Sequence, residues 1–147
     1  MTEQSEMQTT NDAASERPLI LIVDDFDEYR DAVKLYMEAS GYRVVEADDG
    51  HLAVEIARAT LPAAILMDVG LPKWGGIAAV RDIRADAKLR TCPIIVVTAY
   101  GTPGLIQEAL NAGCDEVMTK PVDFEHLIAV IERLRGKNKD ALAIDAR

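Results

Sequence analysis

Residues 64–76 read AILMDVGLPKWGG. Ile65, Leu66 and Met67 form a short apolar run that stops on an acid, Asp68, and the breakers Gly70-Leu71-Pro72 and Gly75-Gly76 follow at once. A run this short between breakers predicts a buried strand. Asp68 then stands at the rim of a sheet, and in open parallel α/β sheets ligands bind outside the carboxyl ends of the strands. Asp also opens turns, so taken alone the residue admits both readings. Three other strand-like runs end on polar residues, at Asp24-Asp25, Thr98 and Lys120, and this repetition favours a site.

Outward from this stretch, strands and helices alternate. Pro18 introduces Leu19–Val23, a continuous β-favouring run that suits a central strand covered on both faces. Tyr29, Ala32, Val33, Tyr36 and Met37 recur at helical spacing over Asp27 to Ser40, with Gly41 at the expected stop. The more polar strand Tyr42 to Ala47 suits an edge. Asp48-Asp49-Gly50 turns into a helix carrying Ala53, Ile56 and Ala57, which ends before Pro62.

Beyond Asp68, the pattern predicts a helix from Gly76 to Ala87, a buried strand Ile94–Thr98, a helix Pro103–Ala112 stopped by Gly113 and a strand Glu116–Thr119. A last helix from Asp123 to Arg135 carries Phe124, Leu127, Ile128, Ile131 and Leu134. The polar segment 1–17 lacks an apolar period and is expected to be a flexible tail, and 137–147 a flexible end. The folded domain is therefore expected over 18–136. Five alternating strands and helices call for an α/β doubly wound parallel sheet with helices on both faces and right-handed crossovers.

The 147 residues amount to one domain. At 49% hydrophobic and 28% charged the composition is that of a globular protein, and no apolar run is long enough to span a bilayer. With no secretory signal, the expected location is cytoplasmic. A formal charge of −9 argues against nucleic acid and against anionic membrane surfaces as partners. Cys92 and Cys114 have no metal-ligand spacing and are expected to be buried thiols, while His51 and His126 fall on helices away from the strand ends and are expected at the surface.

With all strands parallel, Asp24, Asp25, Asp68, Thr98 and Lys120 share one rim. Three clustered carboxylates repel one another, and a divalent cation removes the conflict. All-oxygen ligands favour Mg²⁺ or Mn²⁺ over zinc. Lys120 adds a positive charge and Thr98 a neutral donor, a set suited to a phosphoryl group, and a carboxylate can serve as the nucleophile that accepts it. Singly, Asp24-Asp25 could cap a helix, Thr98 form a turn and Lys120 be a solvated charge; their joint placement is what favours the site.

The set Asp24-Asp25, Asp68 with Leu71-Pro72 and Gly76, Thr98-Ala99 and Lys120-Pro121 resembles the receiver domain of two-component response regulators of the single-domain, chemotaxis-regulator-like type, over about Pro18 to Arg135. The resemblance implies the flavodoxin-like strand order 2-1-3-4-5. It implies that Asp68 accepts a phosphoryl group from a histidine kinase or histidine phosphotransfer protein. Asp25, Asp68 and the Gly70 backbone carbonyl would hold Mg²⁺, with Asp24 acting directly or through a water. Lys120 would pair with Asp68 at rest and with the phosphoryl oxygens afterwards; Thr98 would turn inward to hydrogen-bond the phosphoryl group, and small Ala99 would leave the donor room. Two features depart from the family's pattern or stand beside it. Val117 stands where many receivers carry a Tyr or Phe that swings with the switch, and Tyr100 flanks the expected pocket, as a shield or as a loop aromatic. Trp74, in the loop after Asp68, is expected to cover apolar surface near the metal.

The resemblance describes a signalling switch rather than an enzyme acting on metabolites, limited to its own phosphorylation and slow dephosphorylation, with an output by protein–protein contact or phosphorelay. A phosphatase with an aspartyl nucleophile would need a second acid where Gly70 stands, and a cap. A phosphorylation-independent adaptor is opposed by the intact acids, Thr98 and Lys120, and a receiver portion of a longer regulator is a further alternative.

Overall fold

The computed structural model describes residues 16–70 and 75–145, with side chains described through Lys137. Leu71, Pro72 and Trp74, the tail before Glu16 and the last two residues lie outside the described residues. In chain order the elements are β1 (Leu19–Val23), α1 (Asp27–Ala39), β2 (Arg43–Ala47), α2 (Gly50–Thr60), β3 (Ala64–Asp68), α3 (Gly76–Ala85), β4 (Ile94–Thr98), α4 (Pro103–Ala112), β5 (Glu116–Thr119) and α5 (Phe124–Asp145). The strands pair in parallel in the order 2-1-3-4-5, as in flavodoxin-like sheets.

Successive strand residues point to opposite faces, and each face builds its own core. Leu21, Val23, Ile65, Met67, Ile94 and Val96 pack with Ala53 and Val54 of α2, Val80 and Ile83 of α3 and Ala109 of α4. Ile20, Ile22, Leu66, Ile95 and Val97 pack with Val33 and Met37 of α1 and Leu127 and Ile131 of α5. Three helices thus cover one face and two the other. The rings of Tyr36 and Phe124 stack with centroids 4.7 Å apart and tie α1 to α5.

Local chemistry sets the helix ends. The Asp49 carboxylate accepts the Leu52 N–H at 2.8 Å and starts α2. Thr102 caps α4 with Pro103 in its first turn, and Gly113, at φ +118°, ends it in the left-handed region that favours glycine. α5 differs from its expected extent: it does not stop at Arg135 but continues through Asp145. Gly136 costs a helix only about 1 kcal/mol relative to alanine, and the lysines, alanines and leucine that follow are good helix formers.

Candidate phosphoryl and metal site

Asp24 follows β1, Asp68 ends β3, Thr98 ends β4 and Lys120 follows β5, so the sheet delivers all four to one rim. The register aligns the ends: Val23 pairs with Met67, Asp68 with Val97, and Thr98 with Thr119. Asp24 is 3% and Asp68 8% exposed, whereas Asp25 faces solvent. One carboxylate oxygen from each of Asp24, Asp25 and Asp68 lies within 4.8 Å of the others.

Each buried acid is held in place. Asp24 Oδ1 accepts the Phe26 N–H at 2.9 Å, and its backbone carbonyl accepts from Arg30 Nη1 at 2.6 Å. Arg30 is itself braced by Glu46 at 3.2 Å and Asp27 at 2.7 Å. Asp68 Oδ1 accepts the Gly70 N–H at 2.9 Å, which leaves Oδ2 toward Lys120. Behind Asp68, Gly76 opens α3 so close to the strand that an added Cβ would lie 2.3 Å from the Asp68 carbonyl oxygen and 2.7 Å from Val69 Cα. The helix can press on the site strand only because that position lacks a side chain.

Lys120 pairs with Asp68, as expected, and with Asp24 as well. Its ammonium lies 2.7 Å from Asp24 Oδ2 and 3.6 Å from Asp68 Oδ2, so it bridges the two acids with the shorter bond to Asp24. The Lys120–Pro121 peptide bond is cis. Burial pushes the Asp68 carboxyl above its ordinary range, and Asp24 and Asp25 add repulsion that the Gly70 N–H and Lys120 offset only in part.

Thr98 is 1% exposed, and its hydroxyl accepts the Tyr100 N–H at 3.0 Å, a bond that leaves its own proton available to donate. Ala99 and Tyr100 are exposed beside it, Tyr100 at 71%. Val117 is half-buried and packs on the α2–α4 side of the sheet. His51 and His126 are exposed. Cys92 and Cys114 are buried free thiols, pushed by burial to about 12 and about 11 and therefore inert. Trp74 and its expected place over the metal lie outside the described residues.

Two residues beside the acids were not legible as site residues. Arg30, which anchors the Asp24 carbonyl, reads in sequence as a helix-surface charge. Tyr29 reads as one more member of the apolar stripe of α1, yet its ring centroid lies 4.3 Å from Lys120 Nζ. Its hydroxyl pKa is raised to about 12 by burial and by the nearby Asp24 and Asp68 charges, so the ring stays neutral. The only sequence signal for either was position, in the first turn of the helix that follows the paired acids.

A family model described as the response regulator receiver domain matches residues 20–132. The chain belongs to this family of two-component signalling modules. It is 38% identical over 119 residues to a cyclic di-GMP phosphodiesterase of Thermotoga maritima, an alignment covering 80% of the chain and 31% of that protein. It is 31% identical over 117 residues to the polar-differentiation response regulator DivK of Brucella anthropi, covering 80% of the chain and 95% of DivK. The chain thus spans about a third of the first relative and nearly all of the second. Among solved structures it resembles the receiver domain of the sensor histidine kinase PA1611 from Pseudomonas aeruginosa, which has a magnesium ion coordinated in its active-site cleft. That likeness has 34% identity, a TM-score of 0.77 and coverage of 82% of this chain and 98% of that one.

Proposed function

We propose that Asp68 is the phosphoacceptor of a signalling switch, taking a phosphoryl group from a histidine kinase or histidine phosphotransfer protein. The observation that carries this reading is the buried Asp68 carboxylate at a strand end, within 4.8 Å of two further acids and 3.6 Å from the Lys120 ammonium. Three acids with one lysine between them leave negative charge that a hard divalent cation fits, and every donor in the set is oxygen. Asp24, Asp25, Asp68 and the Gly70 carbonyl would hold Mg²⁺ or Mn²⁺. The cation, when bound, supplies neutralisation of the acids and of the incoming phosphoryl oxygens.

In the transfer, one oxygen of Asp68 forms a bond to phosphorus as the bond to the donor nitrogen breaks, and that electron pair leaves with the donor. Lys120 moves the short distance from Asp24 toward the new phosphoryl oxygens. The Thr98 hydroxyl donates a hydrogen bond to the same group, and exposed Ala99 leaves the approach open. The new contacts bias the Thr98–Gly104 loop and α4 between two arrangements. The output surface is the face of α4, β5 and α5, which engages a partner protein in the cytoplasm or passes the phosphoryl group to a histidine.

Incubation with acetyl phosphate and Mg²⁺, read by intact-protein mass spectrometry, tests this reading. One phosphoryl adduct is expected on the wild type and none on Asp68→Ala. An adduct that persists in Asp68→Ala overturns the assignment.

A further inference from the structure

Lysine carries a large share of side-chain rotamer freedom, and an ammonium that must meet a phosphoryl group at a fixed point gains from being held before the event. Lys120 is held on more than one side. Its ammonium contacts Asp24 Oδ2 at 2.7 Å and Asp68 Oδ2 at 3.6 Å, and the Tyr29 ring faces it at 4.3 Å. The Lys120 side chain is only 19% exposed, so the ring meets a cation largely stripped of water, where such a contact is strongest. The alternative role for Tyr29 is to fill the core. Tyr29 does pack against the core on that face of the sheet, so a charge-dependent role is told from packing by changing the ring's face while keeping its shape.

We propose that Tyr29 is a positioning residue: the face of its ring holds the Lys120 ammonium between Asp24 and Asp68, ready for a phosphoryl group on Asp68. This role rests on the phosphoacceptor reading. It requires the ring and its negative face, and it does not require the hydroxyl.

The test uses the full chain with Tyr29→Phe, Tyr29→Leu and a series in which Tyr29 is replaced by phenylalanine bearing one, two and three ring fluorines, which drain charge from the ring face while nearly keeping its shape. Three quantities are read: the ring-current shift of the Lys120 ε-methylene protons at rest, the initial rate of phosphorylation by acetyl phosphate with Mg²⁺, and the thermal midpoint. Tyr29→Phe should keep the wild-type rate within about twofold. The rate should then fall step by step with fluorination, reaching about 2- to 30-fold below Tyr29→Phe, while thermal midpoints across the fluorinated series stay level. Tyr29→Leu should be as slow as the trifluorinated ring and should lose the upfield shift of the Lys120 protons. Equal rates across the fluorinated series, or Lys120 protons without a ring shift in the wild type, would overturn the role of Tyr29. A wild type that forms no adduct at all would instead overturn the phosphoacceptor reading and the rate role resting on it, with the ring shift still deciding whether Tyr29 holds Lys120.

Discussion

Asp68 is strained when ionised, and the strain has a sign that can be measured. Burial and two neighbouring acids raise its pKa, so between the ordinary carboxylate value and the raised one the folded state binds more protons than the unfolded. Stability attributable to this group therefore falls as pH rises through that window, and the deficit persists at neutral pH. Asp68→Asn removes the ionisable group and should raise the thermal midpoint at pH 7 without metal. The gain should vanish at a pH below the ordinary carboxylate range. Differential scanning calorimetry at pH 2.5 and pH 7 checks it, and an equal gain at both would point to packing rather than charge. Millimolar Mg²⁺ should stabilise the wild type by mass action and Asp25→Ala much less.

At the scale of elements, close backbone approaches and one arginine hold the frame that aims these residues. Gly76→Ala puts a methyl where the Asp68 carbonyl and Val69 already sit. It should cost about 1–3 kcal/mol in denaturant unfolding and displace the end of β3. Arg84 of α3 donates to the carbonyls of Gly113, Leu89, Arg90 and Cys92 and pairs with Asp115 at 2.8 Å, and Asp115 in turn accepts the Ile94 N–H. This joins α3, the end of α4 and the start of β4. Arg84→Ala should cost about 3 kcal/mol, with little rescue by Arg84→Lys, because an ammonium cannot serve acceptors spread around a planar fork. The strands and most helix ends were readable from the sequence because apolar periods, breakers and caps are local. The Arg84 hub was not, since its acceptors are main-chain carbonyls that leave no mark in a sequence. The length of α5 was missed because Gly136 reads as a stop, although a helix tolerates it.

Across the whole molecule, the legible part of the site was its list of strand-end residues: a buried parallel strand must end somewhere, and each of these ended on a polar group. What the sequence withheld was the pairing among them. The sharing of Lys120 between Asp24 and Asp68, and the Tyr29 ring beside it, depend on how the chain after β5 meets α1 across the rim. The same topology shapes the expected switch. Gly101 approaches the Thr119 side chain closely, and the Lys120 N–H donates to the Thr98 carbonyl at 2.8 Å, so the β4–α4 loop and the end of β5 are in direct contact. With Val117 in place of a ring, beryllofluoride, a phosphoryl mimic, should perturb NMR signals through the Thr98–Gly104 loop and from Leu105 to Leu110, and those of β5 less. Perturbations confined to the acid loops would mean that the fold binds phosphate without switching.

In the proposed switch one particular carboxylate takes the phosphoryl group, and a divalent cation is required. Borohydride reduces an aspartyl phosphate to homoserine, and peptide mass spectrometry then reads the position directly. After acetyl phosphate with Mg²⁺, homoserine should appear at position 68 and at no other acid, and chelation by EDTA should abolish it. Homoserine at position 24 or 25, or at position 68 with undiminished yield in EDTA, would contradict this assignment.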